Sequence, residues 1–439
     1  MKRILITTVA AVMIFTLNGY AQEKMKLSLD ECIELALKNN HDFKKIKLDQ
    51  QKAEEQVREA YGSSLMPSID GQLNYNRAIK KSVISIETPA FSGTFPSGTD
   101  NTLTGSVSLS QPIFSGAMFL AIRIANTFAN ISETNTEYSR TELVVNIKEA
   151  YYNFLLSKEL VKLAELQRDL AEKNMKDTES MYSAGLVSEY DFIKADVQFK
   201  NMIPAVKEAE IQQTLANNAL KLLIGVEGDK EIYAADSLYF RQLEIPSFEE
   251  GLQNVYHGNK LLQQLDLQAN LMDLNESYQF SQHLPKIDAS GSYQAQAQEN
   301  DTRHFNEWRY RNSFYVGLTL KVPIFKGFTI DSKVQQAKID YMKSEEDLAK
   351  TKSVLTNNYK TTRQNFEKSE EQVNAYKATV EQADKGFSIA KKRFNTGLAT
   401  QLEVTSALVE LTSAKVNYLM SLRDYYLNYA KIDFLMGVY

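Results

Sequence analysis

The residue types that most often carry catalysis are sparse in this chain and are not grouped. The four histidines lack the spacings that bind a metal ion, and no glycine-rich phosphate loop or nucleophile motif is visible. There is also a single cysteine. These residues are His41, His257, His283, His304 and Cys32. The sequence therefore predicts a protein that is not an enzyme, with no catalytic residues, no metal site and no cofactor.

Two acidic residues instead recur in the same setting. Asp191 lies three residues after Ser188, and Glu403 lies three residues after Thr400. A hydroxyl residue followed by an acid at this spacing is a capping box, which begins a helix. A glycine shortly before each hydroxyl suits the left-handed position that ends the preceding helix. Each stretch therefore predicts a helix–turn–helix tip with a carboxylate just past the turn.

The two tips are separated by a long, regular offset. Gly185 and Gly397 are 212 positions apart, and each is followed by a leucine. A chain that makes the same hairpin twice is predicted to be a duplicated unit. Turn chemistry explains the glycines but not the two leucines, so the tips are predicted to dock a partner. The docking residues are Gly185, Leu186, Val187, Gly397, Leu398 and Ala399.

Very long helices are predicted to carry these tips. No glycine or proline interrupts the 68 residues between Gly116 and Gly185. Such a helix would be roughly 100 Å long at about 1.5 Å per residue. Its apolar residues follow steps of three and four, which is typical of coiled-coil packing. Because an isolated hairpin of this length would leave apolar faces exposed, we expect further helices to cover it.

Four shorter segments alternate with period two instead. They cover 68–76, 103–111, 287–297 and 314–322. Apolar residues occupy one face and polar residues the other, over about the length that a tilted transmembrane strand needs. Four strands cannot close a membrane barrel, which usually needs about eight, whereas three chains would supply twelve. The intervening residues 78–102 are too irregular to predict.

Each strand pair leaves through the same five-residue motif, Pro-Ile-Phe-x-Gly. It runs from Pro112 to Gly116 and again from Pro323 to Gly327. Proline cannot donate to a strand ladder and glycine lets the backbone turn. The motif therefore predicts two turns from barrel strand to helix.

The N-terminus predicts export of the chain, and the overall charge argues against one class of partner. Residues 1–21 predict a secretory signal, because Lys2 and Arg3 precede a short apolar core that ends in small residues. The formal net charge of −5 argues against a nucleic-acid partner. Cys32, alone, cannot form an internal disulfide and is expected to be a buried thiol on a helix. No later segment is apolar enough for a membrane helix, so any membrane contact would use strands.

Taken together, the chain resembles the TolC-type outer-membrane efflux family (outer membrane factors) over nearly its whole mature length. The match rests on the sequence LDECIELALKNN at 29–40, the two Pro-Ile-Phe-x-Gly motifs and the two Gly-Leu tips. The resemblance implies a mainly α chain with a β membrane part and an internal two-fold repeat. It further implies a homotrimer whose twelve-stranded outer-membrane β-barrel, four strands per chain, continues as a long periplasmic α-helical barrel.

The same resemblance implies a function and its partners. The chain would be the exit duct of a tripartite efflux or type I secretion system in the outer membrane of a Gram-negative bacterium, surrounded by outer-membrane lipid. A periplasmic adaptor, and through it an RND or ABC inner-membrane pump, would dock at the tips. Asp191 and Glu403 would line the periplasmic gate in addition to capping their own helices. Ala399 and Ser406 stand where the family often has an arginine and a second acid, which departs from its salt-bridged lock.

An alternative function stays open. The alternative is a soluble periplasmic coiled-coil adaptor or structural protein, although an adaptor would need one hairpin and a filament would not need alternating strands.

The predicted organisation has eight segments. They are the signal peptide (1–21), the N-terminal helices of repeat one (22–66), the first membrane hairpin (67–112), the first helical hairpin with its tip near 184–188 (113–225), a linker (226–247), the helices of repeat two (248–284), the second membrane hairpin (285–323) and the second helical hairpin with its tip near 396–400 (324–439).

Overall fold

Helices make up most of the chain in the computed structural model, which describes residues 24–226 and 231–439. The predicted signal peptide, 1–21, lies outside the described residues. Within them the helices are α1 (Leu29–Asn39), α2 (His41–Leu65), α3 (Gly116–Ser183), α4 (Glu189–Ile224), α5 (Phe248–Gly258), α6 (Lys260–Ser281), α7 (Thr329–Asn395) and α8 (Gln401–Met436). The predicted long helices are confirmed, since α3 contains 68 residues and α7 contains 67.

The strands of the described residues pair in three sheets. β1 lies parallel to β6, β3 pairs with β4, and the remaining four form one sheet in the order β2–β5–β7–β8. The strands are β1 (Lys24–Leu27), β2 (Ser68–Arg77), β3 (Ser82–Thr88), β4 (Phe91–Ser97), β5 (Asn101–Ser115), β6 (Glu231–Ala234), β7 (Lys286–Glu299) and β8 (Tyr310–Lys321), with a short 3₁₀ turn at Phe305–Glu307.

The chain divides into two compact units. The first contains Thr134–Gln263, Lys350–Tyr439 and the described residues up to Leu48. The second contains Asp49–Glu133 and Gln264–Ala349. The helical tips therefore belong to the first unit and the four-stranded sheet to the second.

The four-stranded sheet is antiparallel throughout and joins the two repeats. Within each repeat a hairpin pairs β2 with β5, where Ser68 faces Ser110, and β7 with β8, where Lys286 faces Lys321. The pairing of β5 with β7 connects the repeats. The four strands predicted from period-two alternation are thereby confirmed.

The alternation leaves one face of this sheet apolar and uncovered within the chain. In β8, the side chains of Phe314, Val316, Leu318 and Leu320 are 63–77% exposed. The polar face carries serine, threonine, glutamine and asparagine along the neighbouring strands. An exposed apolar face of this size is what a membrane-facing surface requires, since lipid rather than protein then covers it.

Two details of the sheet region differ from the sequence prediction. Residues 78–102 contain the β3–β4 hairpin. Glycine, serine and proline interrupt the apolar–polar alternation of these strands, so the sequence pattern did not predict them. Pro112 does not close its ladder, because β5 continues to Ser115 across a register shift between Pro112 and Phe114. A bulge tolerates a residue without an N–H donor, so the proline can lie inside the strand.

The two Pro-Ile-Phe-x-Gly motifs therefore act differently. In the first, α3 begins directly at Gly116, where an added Cβ would lie only 2.5 Å from Leu284 Cδ1. In the second, β8 ends before Pro323, and Gly327 turns with a φ of +59°. Close packing against Leu284 favours the first glycine, and the left-handed backbone conformation favours the second.

The first unit has a continuous apolar core between α1, α3 and α4. Ile147, Leu220 and Ile224 are fully buried in it, together with Cys32. Burial raises the pKa of the Cys32 thiol to about 12, because the thiolate would lose its hydration there. The expected buried thiol on a helix is confirmed.

Two buried asparagines show the internal repeat at atomic detail. The Asn40 side chain donates to Leu223 O (2.9 Å) and accepts from Phe43 N (2.9 Å). The Asn259 side chain donates to Leu435 O (3.0 Å) and accepts from the start of α6. Each asparagine therefore begins one helix and satisfies a carbonyl near the end of a returning helix.

The offset of 212 positions that separates Gly185 from Gly397 recurs along α3 and α7. Phe154 and Phe366 are both buried and lie 212 positions apart, as do Ser157 and Ser369. Each serine hydroxyl donates to the carbonyl three residues earlier at 2.8 Å. The predicted two-fold repeat is confirmed, and it extends to individual side-chain bonds.

Candidate functional site

The first tip is a short turn between α3 and α4, and hydrogen bonds fix the end of α3 and the start of α4. Gly185 has a φ of +72°, and Leu186 N donates to Met181 O at 2.9 Å, which ends α3. Ser188 begins α4, because its hydroxyl accepts from Asp191 N at 3.2 Å. The Asp191 carboxylate in turn accepts from Ser188 N at 3.2 Å. This is the reciprocal capping box that the sequence predicts.

The second tip repeats this arrangement. Gly397 has a φ of +74°, and Leu398 N donates to Arg393 O at 2.8 Å. Thr400 Oγ1 accepts from Glu403 N at 3.3 Å, and the Glu403 carboxylate accepts from Thr400 N at 3.2 Å. Both carboxylates predicted at the gate therefore stabilise the N-terminus of their own helix.

An ion pair distinguishes the second tip from the first. Arg393 Nη1 lies 3.6 Å from Glu403 Oε2, and Arg393 Nη2 donates to Leu398 O at 3.0 Å. Met181 occupies the position 212 residues before Arg393 and carries no charge. The sequence prediction assigned no role to Arg393. Its position in the last turn of α7 could have identified it, because a cation there interacts favourably with the helix C-terminus.

The tips expose apolar side chains that ordinary turns do not need. Leu186 is 75% exposed and Leu398 is 70% exposed. Tyr190 and Leu402, which the sequence did not single out, are exposed beside them. A contiguous apolar patch on a surface turn is typical of a protein-binding site.

A buried amide lies at the start of the returning helix in the second tip. Gln401 is 3% exposed, and neither its Nε2 nor its Oε1 has a hydrogen-bond partner among the described residues. Glu189, the position 212 residues earlier, is exposed instead. Leaving a buried amide unpaired typically costs about 1–3 kcal/mol.

Charged and aromatic side chains join the loops at the end of the sheet remote from its junction with α3. Arg77 pairs with Asp301 (2.9 Å), and Lys81 pairs with Asp100 (2.9 Å). Trp308, between β7 and β8, stacks on Tyr75 at a centroid distance of 6.4 Å. The Arg77–Asp301 pair, the Trp308–Tyr75 stack and a bond from Lys81 Nζ to Asn300 Oδ1 (2.8 Å) hold the loop between β7 and β8 against β2 and the segment that follows it. The Lys81–Asp100 pair lies within that segment.

Neither a metal site nor a membrane-spanning helix is found in the described ranges. No three His, Cys, Asp or Glu side chains converge in the part of the chain that the structure describes. None of the helices in residues 24–226 and 231–439 is long and apolar enough to cross a membrane.

The sheet with one apolar face, joined to paired long helices that return at glycine tips, defines a channel rather than an enzyme. The chain is similar in structure to the CmeC outer membrane channel of Campylobacter jejuni, with a TM-score of 0.77 at 18% identity. The similarity covers 93% of this chain and 85% of that one. The predicted fold class is confirmed.

The chain belongs to the outer membrane efflux protein family, whose model matches residues 32–226 and 252–438. It is 22% identical over 438 residues to outer membrane protein TolC of Escherichia coli (strain K12), covering 96% of this chain and 84% of that relative. It is 23% identical over 420 residues to alkaline protease secretion protein AprF of Pseudomonas aeruginosa, covering 95% and 86%.

Family membership decides between the functions considered above. The chain is an outer-membrane protein that extends into the periplasm and acts as an exit duct of efflux or secretion systems. Its relatives are channels, so the prediction that it is not an enzyme is confirmed. The alternative of a soluble adaptor or structural protein is not supported.

Proposed function

We propose that three copies of this chain form the duct, with twelve strands closed into one barrel. The observation that carries this proposal is the open sheet: in the described chain, β2 pairs only with β5 and β8 only with β7. The outer edges of β2 and β8 therefore carry unpaired backbone groups. Such edges are not tolerated in lipid, and four strands are too few to close a barrel. Pairing β2 of one protomer with β8 of the next removes every free edge.

The two faces of the sheet then meet two different solvents. Phe314, Val316, Leu318 and Leu320 face outer-membrane lipid, and the serine-, threonine- and glutamine-rich face lines a water-filled duct. The segment boundaries derived from the sequence belong to this proposal, with 67–112 and 285–323 in the barrel and 113–225 and 324–439 as helical hairpins.

The tips serve as docking sites for a periplasmic adaptor that connects the duct to an RND or ABC inner-membrane pump. The exposed Leu186 and Leu398 support this role, because they offer a small apolar patch beside a rigid turn. Gly185, Val187, Gly397 and Ala399 complete the two surfaces. The relative named for alkaline protease secretion is compatible with a secretion system as well as an efflux system.

The same tips form the periplasmic gate. Asp191 and Glu403 close their own turns through capping boxes, and Arg393 adds an ion pair in the second tip only. Opening is then a separation of the tips, in which the second tip exchanges internal bonds for contacts with the adaptor or with water.

The mass of the detergent-extracted mature protein tests the assembly. We expect three times the chain mass, after correction for bound detergent, from an outer-membrane fraction. A monomer that retains its sheet would contradict the shared barrel, since β2 and β8 would then remain unpaired in lipid. A Leu186→Ser and Leu398→Ser variant should keep the trimer mass and lose adaptor binding, which separates docking from assembly.

A further inference from the structure

A basic cavity lies where the four-stranded sheet meets its helices. It has a volume of about 600 Å³ and lies within the second unit. The junction of β5 with α3, the C-terminal end of α6, the start of β7, the end of β8 and the start of α7 surround it. The proposed duct, docking and gating functions assign no role to this cavity.

Four lysines line the cavity, and no acidic residue does. They are Lys286, Lys321, Lys326 and Lys333. Lys286 and Lys321 are direct cross-strand neighbours in the β7–β8 ladder. Two like charges in that position destabilise a sheet unless an opposite charge lies between them.

The protein supplies little opposite charge near the cavity. Lys286 Nζ lies 3.3 Å from Asp288 Oδ1 on the same strand. Asp331, in the first turn of α7, lies 3.6 Å from His283 Nε2. Among the described residues, the other three lysines have no ion-pair partner within 4.0 Å. The cavity therefore carries a local excess of positive charge in a chain whose formal net charge is −5.

Uncharged donors complete the lining. Tyr278, Thr329 and Gln282 line the cavity, and the two hydroxyls and the side-chain amide of Gln282 form no hydrogen bond within the described chain. Lysine ammonium groups and neutral donors together are what a phosphate group requires, because its oxygens accept several hydrogen bonds and carry charge.

The surface beside the cavity is strongly apolar. Ile324 is 94% exposed, and Phe325 and Phe328 are also exposed on either side of Lys326. Aromatic and basic residues at one level are typical of a protein surface at the boundary of a membrane, where lysine reaches the phosphates.

We propose that this cavity binds a phosphate group. The phosphate belongs either to a solute that passes through the duct, since Lys286 and Lys321 share the polar face of the sheet, or to a phospholipid of the inner leaflet, which Lys326 meets beside the exposed Phe325 and Phe328. Only the lipid source depends on the proposed membrane position of the sheet. Phosphate binding by the four lysines does not depend on it, so the two proposals can fail separately.

Native mass spectrometry of the detergent-purified full protein tests this proposal with two probes. One probe is short-chain phosphatidylglycerol, with phosphatidylcholine of the same chain length as the comparison, and the other is inorganic pyrophosphate. The test variant is Lys321→Gln with Lys326→Gln, and the matched control is Lys52→Gln with Lys338→Gln, which removes the same charge elsewhere in the second unit. Removing two surface lysines should weaken binding about 30-fold.

The outcomes separate the sources and can overturn the proposal. Binding of phosphatidylglycerol in preference to phosphatidylcholine, weakened in the test variant but not in the control, supports a lipid headgroup. Binding of pyrophosphate alone, with the same dependence on the two lysines, supports a solute. Restoration by Lys321→Arg with Lys326→Arg would show that the charge is what matters. If neither probe binds, or if test and control variants bind equally, the cavity is not a phosphate site.

Discussion

Removing Glu403 should loosen the second tip more than removing Asp191 loosens the first. Glu403→Ala deletes the acceptor for Thr400 N and the ion pair with Arg393. The first-turn acid contributes about 0.3–1 kcal/mol. The ion pair adds at most about 0.5 kcal/mol, because both side chains are roughly half exposed and solvent screens them. Asp191→Ala loses the first contribution only, since the corresponding position to Arg393 is Met181.

The resulting change is measurable at the gate. A loss of about 1 kcal/mol in each protomer raises the population of an opened tip about fivefold. We expect Glu403→Ala to increase the ion conductance of the reconstituted protein in planar bilayers, and Asp191→Ala to increase it less. The difference between the two variants should shrink at high salt, because screening removes the ion pair but not the capping hydrogen bonds.

Two controls separate the charge at the gate from helix capping. Glu410→Ala removes an exposed acid from the same helix, α8, and should leave the conductance unchanged. Thr400→Ala removes the cap and leaves the carboxylate in place. If Asp191→Ala combined with Glu403→Ala leaves the conductance unchanged while hydrogen exchange reports loosened tips, the two acids are only caps and the gate proposal is wrong.

Two further predictions concern the first unit. Because burial raises the pKa of Cys32 from 9.0 to about 12, the native state holds a proton that the unfolded state releases, and stability should fall as pH rises through this interval. Urea unfolding at pH 8 and pH 10 should show a smaller loss in Cys32→Ala, and rapid alkylation of the native thiol at pH 8 would contradict its burial. Asn40→Ala and Asn259→Ala should each lower the free energy of unfolding by about 2 kcal/mol, since each loses a cap and a bond to a buried carbonyl. Exposed Asn395→Ala is the control, and unequal losses at the two asparagines in urea titrations would argue against equivalent roles in the repeat.

The two repeats resemble each other closely in some regions of the chain and differ in others. Near Asn40 and Asn259 the bonds are nearly identical, because both asparagines support a packed core that must be built twice. At the tips the halves diverge, since only the second has Arg393 paired with Glu403 and a buried, unpartnered Gln401. Because the two tips of each chain differ, the six tips of the proposed trimer make two kinds of contact at the gate. Identical tips would make only one.

The sequence by itself determined the elements whose signals are local. Both tips follow from glycine, hydroxyl and acid within a few residues, and the capping boxes at Ser188 and Thr400 form as expected. The four membrane-type strands follow from alternation, and the long helices from the absence of helix breakers. These signals suffice because each hydrogen bond or face depends on neighbours a few positions away.

The tertiary structure decided what depends on distant residues. Pro112 lies within a strand because β7 pairs with β5 on both sides of the register shift, which no local pattern reports. Lys286 and Lys321 lie 35 positions apart in sequence, and only the register of β7 against β8 places them face to face. The partners of Asn40 and Asn259 lie 183 and 176 positions away. Contacts of this kind depend on packing and strand register, because they contribute to stability only after the helices and strands have assembled.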